Sequence, residues 1–408
     1  MGEGPGRDMN IGLSGGTFDP LHLGHLGMIK AALDSGYVDR IIVMPSGRPP
    51  HKRLEVVSMA RYRFEMVLRA FADEPRVTVS DFEILKQGPS YTLDTVEYLR
   101  SQINAKDELF LIYGSDVLKD LKYWHEPEAV LSSCPFLLAD RGGYQDQESR
   151  DLAEELRVHY QARIQFFPSP VVELSSTQIR QMVSDRKSIA GLVPEPVEKM
   201  IRKHALYRWQ SDLALLTPDF RQDLFDLERR IWPTLSGKRL LHSLNVMTYA
   251  LHLANVHHVS MEQTAVAALL HDCAKCLPAA EQTALAVKHG DPALLAPELV
   301  HGPAAAQLAQ SLFGITEQGI LDAIQYHTTG RTGMSDLDKI IFIADKIEPS
   351  RVYAGLEQIR ALAEKNLDSA LKVCFEEINK FLDREGHKSH PYSLEAYKEL
   401  EQRLKTTR

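Results

Sequence analysis

The chain has 408 residues, 44% of them hydrophobic and 25% charged, an ordinary globular composition with room for two domains of about 200 residues each. Its formal net charge of -8 argues against a broad grip on a nucleic-acid polymer or an anionic membrane, but not against small phosphorylated ligands. Four cysteines are too few for a secreted disulfide framework, the glycine-rich start has no apolar signal core, and no run of roughly 18 apolar residues occurs, so a cytoplasmic enzyme is expected.

In chain order, short apolar runs at 11–13, 40–44, 77–79, 108–113, 135–139 and 164–167 read as strands. Helical patterns such as 26–35 and 58–72 lie between them. Strands alternating with helices predict a Rossmann-like, doubly wound parallel sheet. Near Trp209-Gln210 the texture changes. Beyond it, long helical patterns take over at 238–254, 261–275, 317–327, 337–346 and 356–382. Turn signals separate them at Leu277-Pro278, His301-Gly302-Pro303 and Thr329-Gly330. The expectation is an α/β domain over 9–210 and an all-α domain over 211–408.

The first chemical signal is SGGTFDPLHLGH at 14–25, which follows the first strand and opens a helix. Gly15 and Gly16 let the backbone approach a ligand closely. His22 and His25 are three apart, so both imidazoles face one way at a helix start, where free N–H groups favour phosphate. Two imidazoles there can stabilise a triphosphate as its α-phosphorus becomes five-coordinate. Far downstream, LSSTQIR at 174–180 places Ser176, Thr177 and Arg180 on one helix start, a second phosphate clamp.

Together these strings resemble the two signatures of the HxGH nucleotidyltransferase superfamily. Within it, MPSGRPPHK (44–52), YTLDT (91–95), YGSD (113–116), Trp124 and RKHALYR (202–208) are similar to the bacterial nicotinate-nucleotide adenylyltransferases. The resemblance implies that Gly16, Thr17 and Phe18 meet ATP and that His22, His25 and Lys52 hold its phosphates. It implies that Thr92 and Trp124 hold nicotinate, that Gly114 and Asp116 line the nucleotide site, and that Ser176, Thr177 and Arg180 grip the triphosphate. Nicotinate mononucleotide would attack the α-phosphorus of ATP, and Mg2+ would arrive with the ATP rather than in a protein cage. Pantetheine phosphate or another small phosphate is the alternative acceptor.

The second signal lies in the helical half. His271-Asp272 ends the apolar pattern AVAALLHDCAK, where a buried aspartate needs a partner. His242, His301, His327 and Asp345 stand on other predicted helices. Four histidines and two aspartates suit Fe, Mn or Zn. Cys273 and Cys276 interleave with the HDxxK segment on the same predicted helix, and no second cysteine pair exists, so they are read as incidental.

The order H…HD…H…H…D, with HGP, HTTGR and ADKIEPSR, resembles the HD-domain symmetrical diadenosine tetraphosphatases. That implies Asp272 bridging two metals, with His242, His271 and Asp345 on one and His301 and His327 on the other. It implies hydrolysis of diadenosine tetraphosphate to two ADP, with Lys275, Arg331 and Arg351 offsetting phosphate charge. Alternatives are another nucleotide phosphodiesterase or phosphatase, or a nucleotide-binding regulator without turnover. Oligomeric state is left open, a homo-oligomer included.

Overall fold

The computed structural model describes residues 8–48, 56–141 and 147–406. The chain forms two compact units, divided between Arg202 and Lys203, a little before the change of texture at Trp209.

The first unit is built on six parallel strands: β1 (Asn10–Gly16), β2 (Arg40–Pro45), β3 (Val77–Val79), β4 (Glu108–Gly114), β5 (Phe136–Arg141) and β6 (Ile164–Ser169). Their order across the sheet is β3-β2-β1-β4-β5-β6, every pairing parallel. The runs are nearly continuous in apolar residues because both faces are covered. Ile41, Leu111, Ile112, Phe136, Leu137 and Leu138 are fully buried. The order reverses between β1 and β4, and ligands of such sheets bind beyond the strand ends at that reversal. There β1 ends at Gly16 and β4 at Gly114.

The second unit is helical. Helix Asp336–Ile347 is its centre, buried on all sides except at Asp336 and Lys346, its charged Asp338, Lys339 and Asp345 included. It packs against helices Gly237–His257, Gln318–Gln325 and Leu367–Arg384. Three sequence expectations change here. Helix Met261–Leu270 stops before His271, and 271–277 continue as turns. Apolar periodicity had carried it to 275, because the turn residues Cys273 and Ala274 are themselves buried. His301-Gly302-Pro303 is the first turn of helix His301–Ser311 rather than a break, since proline is at home near a helix start. The pattern at 356–382 is two helices, Leu356–Ala363 and Leu367–Arg384, because Asn366 caps the second by accepting from Ser369 N (2.7 Å). The break lets Arg360 donate to Ile347 O (2.9 Å) and Glu348 O (2.8 Å) at the end of the central helix.

Glycine is required where helix His301–Ser311 meets Gln325. A Cβ on Gly302 would lie 2.5 Å from the carbonyl oxygen of Gln325, backbone that cannot rotate aside. Gly319 has nothing within 4 Å of such an atom. In urea unfolding, Gly302→Ala is expected to destabilise the second unit by at least about 1 kcal/mol. Gly319→Ala is expected to be neutral or to stabilise by about 0.5 kcal/mol.

Candidate active sites

At the end of β1 the chain turns through Phe18, whose φ of 50° is left-handed and whose ring is buried edge-on to His25 (centroids 5.2 Å). Gly16 lies against that ring, where a Cβ would come within 3.0 Å. Any contact of Phe18 with a ligand is therefore through its backbone. His22 is the N-cap of helix Leu23–Asp34 and His25 completes a capping box. Gly24 N donates to His22 Nδ1 (3.2 Å) and His22 N donates to His25 Nδ1 (3.3 Å). Because both Nδ1 atoms accept, both neutral rings carry their proton on Nε2. The rings lie 3.8 Å apart, a pair of donors held side by side.

The distant signature closes on this loop. Ser175 caps helix Ser176–Ser184. Ser176 Oγ donates to Pro20 O (2.9 Å), and Arg180 donates to Asp19 O (2.8 Å) and to Thr177 Oγ1 (3.2 Å). Residues 156 and 161 positions apart in sequence thus meet at the phosphate loop. Lys52 lies outside the described residues.

Beside the loop is a cleft lined by Gly15, Gly16, Thr17, Thr92, Tyr113 and Trp124. Trp124 stands edge-on to Tyr113 (5.4 Å, 75°). Gly114 and Asp116 follow at the end of β4, Gly114 buried and Asp116 exposed. Neither is among the described residues that line the cleft.

Two residues here left no motif in the sequence. Arg63 is fully buried and donates to Thr17 O (3.0 Å), Ser46 O (2.6 Å), Gly47 O (3.2 Å) and Ser58 O (2.8 Å). One guanidinium thereby fixes the phosphate loop to the segment after β2. Glu83, on the cleft wall, accepts from Thr95 Oγ1 (2.7 Å). Burial raises its carboxyl above the ordinary range, against hydrogen bonds from Thr95 and Ser90. An arginine on the buried face of an amphipathic helix was the available signal for Arg63.

In the second unit all six expected ligand residues converge. His242, His271 and Asp345 bring ligand atoms within 4.8 Å of one another, as do His271, Asp272 and His327. His301 Nε2 lies 3.6 Å from Asp272 Oδ1 and 3.3 Å from His327 Nε2. His271 Nδ1 donates to Ala268 O and His327 Nδ1 to Ile324 O, each at 2.7 Å. Both rings therefore aim an Nε2 lone pair inward. That of His271 is buried and, among the described residues, has no hydrogen-bond partner. It faces Asp272 Oδ2 (3.8 Å) and Asp345 Oδ1 (4.0 Å).

Electrostatics agree with a cation-binding set. Burial lowers the pKa of His271, pushes His327 to about 4 and, with repulsion from His327, pushes His301 to about 2. Burial opposes ionisation of Asp272 and Asp345, but the histidines around Asp272 (His271, His327 and His301) and, beside Asp345, Lys346 and His242 outweigh it and hold both below the carboxylate range. Burial also opposes charge on His242, yet its bonds to Asp345 and Glu348 raise it to about 9. Neutral imidazoles and ionised carboxylates are the forms that bind metal. Nitrogen and oxygen donors, the unpartnered His271 Nε2 and the neutral rings of His271, His301 and His327 fit a divalent metal, for which His242 has to give up a proton.

Further groups complete the surround. Glu348 Oε1 lies 3.4 Å from His242 Nδ1, and Ser350 donates to Glu348 through both N and Oγ (2.6 Å each). Arg239 donates to Asp272 Oδ2 (3.1 Å), and Lys346 to Asp345 Oδ2 (2.6 Å). Lys275 Nζ is against His301 Nδ1 (2.9 Å). Arg351 donates to Asp345 O (3.1 Å). Arg331 is engaged elsewhere, by Asp322 (3.0 Å) and Asp338 (2.9 Å), as a brace between helices. Cys273 is buried and Cys276 exposed, both free thiols.

The family described as Cytidylyltransferase-like matches residues 13–182, and the one described as HD domain matches 239–350. A probable nicotinate-nucleotide adenylyltransferase of Moorella thermoacetica is 39% identical over 208 residues, 51% of this chain and 94% of that relative. The chain belongs to the nicotinate-nucleotide adenylyltransferase family. The counterpart from Caldicellulosiruptor bescii is 38% identical over 49% of this chain and all of its own length. Both alignments span about half of this chain, so its length exceeds that of these family members by a second domain. A crystal structure from Clostridium acetobutylicum, described as a predicted HD superfamily hydrolase involved in NAD metabolism, is 36% identical over 44% of this chain and 96% of that one, with a TM-score of 0.42. No helix among the described residues is long and apolar enough to cross a membrane.

Glu348→Gln keeps the shape but removes the charge that orients His242. It is expected to weaken metal retention about 10–100-fold, read by chelator competition and elemental analysis, with the melting profile little changed.

Proposed function

We propose that this protein is a two-site nucleotide enzyme of the cytoplasm. Its first unit transfers the adenylyl group of ATP, as the Mg2+ complex, to nicotinate mononucleotide, releasing pyrophosphate. Its second unit hydrolyses diadenosine tetraphosphate to two ADP with a metal pair of the iron type, Mn and Zn being the other candidates.

The first reading is carried by the paired Nε2 donors of His22 and His25 beside the Ser176–Arg180 helix start. Donors fixed in advance stabilise charge on a phosphoryl group without reorganising during the reaction. His22 and His25 would meet the phosphates, while Thr177 and Arg180 approach from the other side of the loop. Trp124 offers a flat apolar face for a pyridine ring in the adjacent cleft. The family likeness, not a residue on its own, favours nicotinate mononucleotide over pantetheine phosphate.

The second reading is carried by the buried, unsatisfied Nε2 of His271, facing two carboxylates. When bound, a metal pair supplies Lewis acidity toward phosphoryl oxygens and the attacking water. His242, His271 and Asp345 would hold one ion, His301 and His327 the other, and Asp272 both. Lys346 and Arg351 sit beside Asp345, where they can receive phosphate oxygens. Arg331, held by two aspartates, has no part in this reading.

The purified full chain is expected to form nicotinate adenine dinucleotide from ATP and nicotinate mononucleotide, and to release ADP from diadenosine tetraphosphate. His25→Ala should lower the first kcat about 10²–10³-fold and leave ADP release intact. Asp272→Ala should abolish ADP release and leave adenylyl transfer intact. Exchange of those two effects, or turnover of pantetheine phosphate alone, would refute the assignment.

A further inference from the structure

Next to the metal cluster, the second unit holds a groove of about 700 Å³, within the range of small-molecule sites. Lys346 and Arg351 line it and both contact the metal-ligand candidate Asp345. Tyr353, Phe381 and Arg384 line it as well. Phe381 is 53% exposed and Tyr353 41% exposed, so both rings are open to a ligand in the groove. Tyr353 is fixed because its hydroxyl donates to Lys346 O (3.2 Å). Arg384 has no carboxylate partner among the described residues; its Nε donates to Lys380 O (3.2 Å). The acid in the groove, Glu377, is paired with Lys380 at 2.8 Å.

We infer that this groove is a nucleoside-diphosphate subsite, which holds one half of the dinucleoside polyphosphate with its phosphates toward Asp345 and its base against Tyr353 and Phe381. The inference rests on the dimetal phosphohydrolase reading and adds the recognition element that reading lacks. A plain phosphate monoester would use the cations and have no need of the rings. A lipid would need a larger apolar surface. A flat aromatic group joined to a polyphosphate meets both the cations and the rings, and base–aromatic stacking tolerates any base.

The test uses the full chain and its Phe381→Ala and Arg384→Gln variants, both changes being on the solvent side of helix Leu367–Arg384. With diadenosine tetraphosphate, KM is expected to rise about tenfold or more for Phe381→Ala, with kcat within about twofold. Metal content and melting temperature of both variants should match the parent, which reports an intact fold and metal site. An unchanged KM for diadenosine tetraphosphate overturns the inference while the hydrolase reading stands. No ADP from the parent chain overturns the hydrolase reading. The subsite is then judged by 8-azido-ADP photolabelling and peptide mapping: saturable label within 351–384, lost in Phe381→Ala, supports it, and label confined to the first unit overturns it.

Discussion

Burial of ionised carboxylates governs the second unit. Asp272 and Asp345 lie inside helical packing, where an uncompensated charge costs several kcal/mol. Arg239 and Lys346 offset part of that cost, one on each carboxylate. Three imidazoles face the same space; His301 and His327 meet at 3.3 Å, and the Nε2 of His271 has no hydrogen-bond partner among the described residues. The packing around them is arranged for a cation: Gly302 admits one helix against another, and backbone carbonyls orient two rings. The first unit solves the opposite problem, holding donors ready for an anion, with hydrogen bonds from backbone N–H groups in place of backbone carbonyls.

Much of this was legible before any coordinates. Six apolar runs gave six strands, because strands covered on both faces need no polar alternation. His22 and His25 could be read as a pair because their spacing matches the first turn of a helix. The six candidate ligands could be named because histidine and aspartate are costly in apolar surroundings. The two family matches, 13–182 and 239–350, lie on either side of Trp209.

What escaped the sequence has a common physical character. Arg63 and Arg360 act on backbone carbonyls, which every residue possesses, so their partners carry no signature. Glu348 and Arg239 act on His242 and Asp272, 106 and 33 positions away in sequence, and stand among many charged residues that do not make such contacts. Helix ends were misplaced where buried small residues prolonged an apolar rhythm past the point at which the backbone turns, as after Leu270. Arg331 reads as a free cation in sequence and is a fixed one in space, since Asp322 and Asp338 approach it from two helices.

The interruption before Asn366 reaches further than its own cap. Because the chain turns there, Arg360 can grasp the carbonyls that finish the segment bearing Asp345 and Glu348. One residue more in that linker would rotate helix Leu356–Ala363 by about 100° relative to its successor and carry the guanidinium off its target. The spacing of a surface joint, with no ligand of its own, is thereby a tuning peg for the reactive carboxylates.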